Sequence, residues 1–281
     1  MRIGLTGATG FIGRHVLKEL MLHDVEVVAL TRTPAMLSYF EGVQVIQADL
    51  NSDADFYHLM GAPDVLIHLA WDGLPNYKSL HHFEAELPRQ YKFIKRMVES
   101  GLNSLFNTGT CFEYGMQSGA LSSEMKTQPT NPYGYAKDAL RKQLEFLRAD
   151  IKFNLTWARL FYIYGEGQAE NSLYPQLKKA VLRGDKVFNM SGGQQLRDYL
   201  PIETVAERIV RVALEQRDIG VTNICSGKPI SVGDLVKQWI RESGWDIELN
   251  LGYYPYPDYE PMSFWGSNIN FNGVVGSDYV A

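Results

Sequence analysis

"LTGATGFIGRHV", residues 5–16, sets three glycines, Gly7, Gly10 and Gly13, three residues apart directly behind a short apolar run. Side chains are excluded from one edge of that turn. Between a first strand and a first helix, such a turn lets a pyrophosphate reach the free N–H groups of the helix N-terminus. The third glycine permits close packing of helix on strand. A turn that simply requires glycine would leave the same mark, so the surrounding pattern has to decide.

That pattern alternates. Residues 2–6 (RIGLT), 26–31 (EVVALT), 43–48 (VQVIQA), 64–69 (DVLIHL), 104–108 (SLFNT) and 153–160 (FNLTWARL) read as strands. They are rich in Val, Ile and Leu with little alternation, as strands buried on both faces should be. Helical patterns fill the gaps, one of them carrying the apolar stripe Ala136, Leu140, Leu144 and Leu147. The prediction is α/β: a Rossmann-like doubly wound parallel sheet with a smaller mixed C-terminal substrate-binding lobe. Residues 1–165 are assigned to the dinucleotide-binding domain, with 198–228 returning to it. Residues 166–197 and 229–281 are assigned to the substrate lobe. Within it, "SVGDLVKQWIRESGW" (231–245) opens on a Ser-x-x-Asp capping signal and closes at Gly244. The tail from Tyr253 is rich in Tyr, Pro, Gly and Asn and is expected to wrap over the surface.

Composition narrows the function. The 281 residues are 45% hydrophobic and 21% charged, with a formal net charge of −5 and no block of like charge. Nothing there points to nucleic acid or an anionic membrane. No apolar run reaches the ~18 residues of a spanning helix, and no signal peptide is evident. Cys111 and Cys225 make no disulfide framework, and a cytoplasmic location is expected. All six histidines precede residue 83 without a zinc-ligand spacing, so no metal is expected.

A second cluster carries chemistry. In "NPYGYAKDAL" (131–140), Tyr133 and Lys137 stand four apart at the start of a helix and project from one face. An ammonium beside a phenol favours phenolate, making Tyr133 a usable general acid or base. Thr110 lies just past the fifth strand. Tyr135 competes for the tyrosine role but points away from the Lys137 face.

The spacing "TGxxGxxG" at 6–13 resembles the opening of the extended short-chain dehydrogenase/reductase family, the epimerase/dehydratase-like enzymes of nucleotide sugars. "ARLFYIYGEGQ" (158–168) and "QQLRDYLPIETVAE" (194–207) resemble later segments of the same family, so the likeness spans nearly the whole chain. The resemblance implies a cofactor held by Gly7, Gly10, Phe11, Ile12 and Gly13. It places Asp49 and Leu50 around the adenine, Leu69 and Ala70 along the cofactor, and Tyr133 and Lys137 at its nicotinamide end. His68 reads as structural. An NAD site usually ends the second strand in a carboxylate; here that end is Thr31-Arg32, and a guanidinium suits a 2′-phosphate. NADP(H) is therefore expected over NAD, with Arg14 as a second positive charge.

The resemblance also makes Thr110, Tyr133 and Lys137 a catalytic triad. It gives Arg197 to the diphosphate of a nucleotide-sugar substrate that Thr110 and Tyr133 also contact. An ion pair with Asp198 or Glu203 would equally account for Arg197. Tyr162 stands where Asn is common. Family members that are 4,6-dehydratases carry Asp and Glu after the Thr; here Cys111 and Phe112 stand there, which argues against dehydration. Cys111 is expected to be a packing residue. Reduction of a 4-keto-6-deoxy sugar with NADPH leads the remaining readings. A 4-epimerase with retained NAD follows, and a non-catalytic NADP-binding sensor comes last. The family's dimer, built from two helices per subunit (here about 83–100 and the Tyr-Lys helix), implies a homodimer.

Overall fold

The computed structural model describes residues 1–267. The chain opens with β1 (Arg2–Thr6), α1 (Phe11–Leu20), β2 (Glu26–Thr31), β3 (Gln44–Gln47), α2 (Phe56–Leu59) and β4 (Val65–His68). After a π-helical turn at His82–Glu86 come α3 (Leu87–Glu99), β5 (Ser104–Thr110), β6 (Gly119–Leu121), α4 (Pro132–Asp150) and β7 (Asn154–Leu160). The remainder is β8 (Tyr162–Tyr164), α5 (Leu173–Leu182), β9 (Val187–Asn189), β10 (Leu196–Arg197), β11 (Tyr199–Pro201) and α6 (Ile202–Leu214). It closes with β12 (Gly220–Ile224), β13 (Ile230–Ser231), α7 (Val232–Ser243), β14 (Glu248–Asn250) and β15 (Phe264–Gly266).

Seven strands form the central sheet in the order β12-β7-β5-β4-β1-β2-β3. Every neighbouring pair is parallel. The order reverses between β1 and β4, and a ligand crevice opens at the carboxyl ends of strands at such a point. One face is covered by α1 and α6, whose Val16, Leu17, Leu20, Val205 and Ile209 pack on Ile3 and Leu5. On the other face, Phe93, Ile94 and Met97 of α3 and Leu140, Leu144 and Leu147 of α4 pack on Leu105, Leu155 and Trp157. The apolar stripe on α4 is thus the buried side of a sheet-covering helix.

A smaller lobe has its own core, where Leu177 and Ala180 of α5 meet Val232, Leu235, Val236 and Trp239 of α7. The Ser231 hydroxyl caps α7 by accepting the Asp234 N–H at 3.0 Å. Gly244 ends the helix in the left-handed region, φ +63°. Two corrections concern the ends of elements. β5 runs on to Thr110, two residues beyond the predicted strand, because it pairs with β7 along its whole length. The tail does not merely wrap: Phe264–Gly266 pairs with Gly119–Leu121, and Phe264 is buried. Residues 268–281 of the predicted substrate lobe lie outside the described residues. Among the described residues no helix is long and apolar enough to cross a membrane.

Candidate active site

The glycine turn joins β1 to α1. Gly7 has φ +74°, a conformation that side chains resist, and the Gly10 N–H donates to its carbonyl at 3.0 Å. A Cβ at Gly13 would overlap the Gly7 carbonyl, so the third glycine seats α1 on the turn. Gly10 precedes α1 without a side-chain cap. The first N–H groups of the helix have no partner within it and are open to an anion.

Above this turn lies a cavity of about 390 Å³. Of the expected cofactor residues, Gly7, Gly10, Arg32, Asp49, Leu50, Leu69 and Ala70 line it. Phe11, Ile12 and Gly13 stand beneath it in the first turn of α1. A Cβ at Gly10 would meet only the Gly7 oxygen, 3.2 Å away, so the space over it is free. The bare turn, the half-buried strand ends and the cationic rim fit a dinucleotide. Arg32 reaches across the rim to Asp72, Nη1 to Oδ2 3.3 Å, with both side chains about half exposed. Arg14 does not line this cavity: its guanidinium points to the Gly167 carbonyl, 3.4 Å away. The second cation on the wall is Arg89 of α3, which carries no sequence signal of its own.

Thr110 ends β5 and caps the short turn that follows, its hydroxyl accepting the Phe112 N–H at 3.3 Å. Tyr133 and Lys137 sit in the first turns of α4. Pro132 and Asn131 start that helix, and the Asn131 side chain accepts the Gly134 N–H at 2.8 Å. Both catalytic candidates are buried. The Lys137 ammonium donates to the Thr108 carbonyl at 2.9 Å and lies 4.0 Å over the Trp71 ring. Burial pushes Lys137 down to about 7. The phenol of Tyr133 is pushed up by burial, against which the Thr110 hydrogen bond works. The sequence leads one to expect a lowered phenol; in this closed aromatic setting desolvation sets the opposite direction. Tyr77, His82, Trp71 and Phe112 enclose the Tyr133 ring. Tyr135 is 54% exposed and turned against Phe83, out of the site.

A second cavity of about 490 Å³ is walled by aromatic rings that include Tyr77, Phe112, Tyr162, Tyr199 and Trp239; Thr110, Tyr133 and Lys137 do not line it, but Tyr77 and Phe112 pack on the Tyr133 ring. It meets a smaller one of about 220 Å³ that Arg197 lines, and Tyr162, Tyr199 and Glu260 belong to both. Arg197 is 2% exposed. It donates to the carbonyls of Leu196 (2.8 Å) and Met262 (3.1 Å) and lies 4.5 Å over Phe264. Its counter-ion is Glu260, 3.3 Å away, to which the Tyr162 hydroxyl also donates. Neither Asp198 nor Glu203 pairs with it. Asp198 accepts the N–H groups of Ser226 and Gly227, and Glu203 faces His15. Glu260 has no signal in the sequence, since only folding carries it back across the lobe. Cys111 is buried among Tyr114, Phe161 and Cys225, and its thiol is pushed up by burial.

Residues 3–225 match the sequence model of the NAD dependent epimerase/dehydratase family. The chain belongs to that family. It is an NAD(P)-dependent enzyme of the extended short-chain dehydrogenase/reductase type. It is 30% identical to dTDP-6-deoxy-L-talose 4-dehydrogenase (NAD(+)) of Aggregatibacter actinomycetemcomitans, over 95% of this chain and 100% of that protein. It is 24% identical to GDP-6-deoxy-D-talose 4-dehydrogenase of the same organism, over 99% of this chain and 92% of that one. Among solved structures, MoeE5 in complex with UDP-glucuronic acid and NAD superposes with a TM-score of 0.83 at 26% identity, covering 98% of this chain and 93% of MoeE5. Other family relatives include 4-epimerases and a 4,6-dehydratase.

Proposed function

We propose that this enzyme reduces the 4-keto group of a nucleotide-activated 4-keto-6-deoxy sugar with NADPH, and in reverse acts as a 4-dehydrogenase. The observation that carries the reading is the composition of the catalytic corner. The Thr110 side chain bears on the Tyr133 phenol and Lys137 is anchored on the nearby Thr108 carbonyl, which supports the reading, while Cys111 and Phe112 supply no acid or base for dehydration. The likeness to a 6-deoxy-talose 4-dehydrogenase over the full length supports the 4-keto chemistry; that relative is named for NAD(+), and the NADPH preference rests on Arg32 alone.

NADP(H), when bound, supplies the hydride that is added at C4. Thr110 orients the C4 oxygen by a hydrogen bond. Tyr133, held as a phenol by its surroundings, gives that oxygen its proton and is reprotonated from solvent. Lys137 holds the tyrosinate while it lasts and binds the nicotinamide ribose. Arg197 exchanges Glu260 for the substrate diphosphate, a charge-assisted fork on phosphate oxygens. Arg32 takes the 2′-phosphate. The working unit on this reading is a homodimer paired through α3 and α4.

A second reading, a 4-epimerase with retained NAD, draws support from Asp72. Its carboxylate on the rim of the dinucleotide cavity compensates Arg32 and favours an uncharged ribose. NADPH and NADH oxidation against dTDP-, GDP-, UDP- and CDP-linked 4-keto-6-deoxy sugars decides. Stoichiometric NADPH consumption is expected. Interconversion of C4 epimers with no net consumption of either cofactor would establish the epimerase instead.

A further inference from the structure

We propose that Glu113 is a positioning residue of the active site: its buried carboxylate, paired with Arg159, fixes the main chain at Thr110 and stands beside the Tyr133–Lys137 pair. The inference rests on that pair being the reacting one.

Glu113 follows the two positions that would hold acids in a dehydratase, and it cannot serve as one. Its side chain is 0% exposed. Both oxygens are engaged: the carboxylate accepts the Thr110 N–H at 2.9 Å, the Trp157 indole N–H at 3.0 and 3.2 Å, and the Arg159 Nε–H at 2.7 Å. The space it fills is kept clear by a neighbour. A Cβ at Gly109 would overlap both Glu113 Oε1 and the Trp157 nitrogen. The Thr-Gly-Thr end of β5 is therefore shaped around this carboxylate.

Burying an ion pair is a poor route to stability. Desolvation of both charges is repaid only in part, and apolar replacements are often as stable. A local job explains this pair better. The Lys137 ammonium and the Glu113 carboxylate hang on β5 two residues apart, one on the Thr108 carbonyl and the other on the Thr110 N–H. The groups facing Glu113 are Arg159 from β7, Tyr114 and Cys111 from its own turn, and Tyr133 and Lys137 from α4. Tyr77 crowds Tyr133 from the loop before α3, and His68 and His82 lie within reach of the Lys137 charge. Among these the carboxylate opposes loss of the ammonium proton and opposes tyrosinate. It thereby offsets part of the effect of burial on Lys137 and favours return of Tyr133 to the phenol that donates the next proton.

The test needs no substrate for its first arm. Lysine labelled with ¹³C at the ε-carbon, with the Lys137 signal identified by its loss in Lys137→Arg, gives the Lys137 titration in the full-length chain. Glu113→Gln keeps an acceptor for the Thr110 N–H but removes the charge, and the Lys137 midpoint should fall by about one pH unit. Glu113→Asp keeps the charge but withdraws the acceptor. The midpoint should then stay, while turnover of a substrate found in the sugar panel drops about tenfold at unchanged cofactor affinity. If Glu113→Gln strands Arg159 and the chain does not fold, Glu113→Gln combined with Arg159→Gln is compared with Arg159→Gln alone, and the downward shift is expected between those two. An unmoved Lys137 midpoint in the folded charge-free variant overturns the proposal, as does full turnover in Glu113→Asp. A panel with no turned-over sugar would sink the reductase reading while leaving the lysine titration to judge Glu113.

Discussion

At the scale of single residues the proposed chemistry turns on one phenol. Tyr133→Phe keeps the ring and its packing and removes the proton donor, so turnover should fall roughly 10²–10⁴-fold. Cofactor binding should survive, because the glycine turn and Lys137 remain. Tyr135→Phe should change little, since that ring faces solvent and Phe83. Steady-state rates of the two variants check the assignment, and a reversal of their ranking would refute it. The ammonium of Lys137, with its midpoint near 7, is lost as pH rises through neutrality in the ligand-free enzyme. Cofactor affinity measured by fluorescence titration should weaken from pH 6 to 8, and Lys137→Met should abolish that dependence. Arg32 belongs to the same scale. Arg32→Ala should weaken NADPH by about 1.5–3 kcal/mol, the worth of a charged hydrogen bond, and NADH much less. Equal losses for both would return the site to NAD. Position decided how much of this could be read in advance. Thr110, Tyr133, Lys137 and the glycines lie in short local patterns. Glu113 and Glu260 act through partners that are distant in sequence, Arg159 for Glu113 and Arg197 for Glu260.

At the scale of elements, β1, β4 and α3 are tied beneath the dinucleotide cavity by a buried polar chain. The Thr6 hydroxyl bonds to His68 Nδ1 (2.7 Å), His68 Nε2 to Gln90 Oε1 (2.7 Å), and Gln90 Nε2 donates to Glu86 (2.9 Å). The structural reading of His68 agrees with this place. Burial lowers His68 from 6.5 to about 3, so the ring is neutral here and charged in the unfolded chain across that window. The unfolded state then binds more protons, and stability is fully present above pH 6.5 and drains away as pH falls toward 3, by an amount on the order of a few kcal/mol. His68→Gln lacks this linkage. Its melting temperature should decline less steeply between pH 6.5 and 4 than that of the parent, as followed by calorimetry. Parallel slopes would show that the drain comes from other groups. The strands themselves were legible because a parallel sheet covered on both faces demands nearly continuous apolar runs. The two- and three-residue strands of the smaller lobe were not, because so few residues carry no period.

At the scale of the whole molecule, α4 presents Tyr135 and Phe146 to solvent, 54% and 78% exposed, with α3 packed alongside. These are the large apolar rings that a pairing through this face would cover. A homodimer through α3 and α4 is the expected state. Light scattering at micromolar concentration should return twice the chain mass for the parent, and the single mass for Phe146→Asp with its circular dichroism intact. A monomeric parent would count against the pairing.

What the chain determined by itself is the sheet, the dinucleotide turn and the Tyr-Lys pair. The turn and the pair rest on residues a few positions apart and the sheet on a strand pattern repeated along the chain, where strand period, helix period and glycine conformation operate directly. What only the folded molecule decided is the set of charges. Long-range contacts chose Glu260 for Arg197, Asp72 for Arg32, and Arg159 and Trp157 for Glu113. The same packing raised the Tyr133 phenol, where the local Tyr-Lys spacing pointed downward. The physical reason is that desolvation and ion pairing depend on what surrounds a group in space. A sequence shows only what stands beside it along the chain.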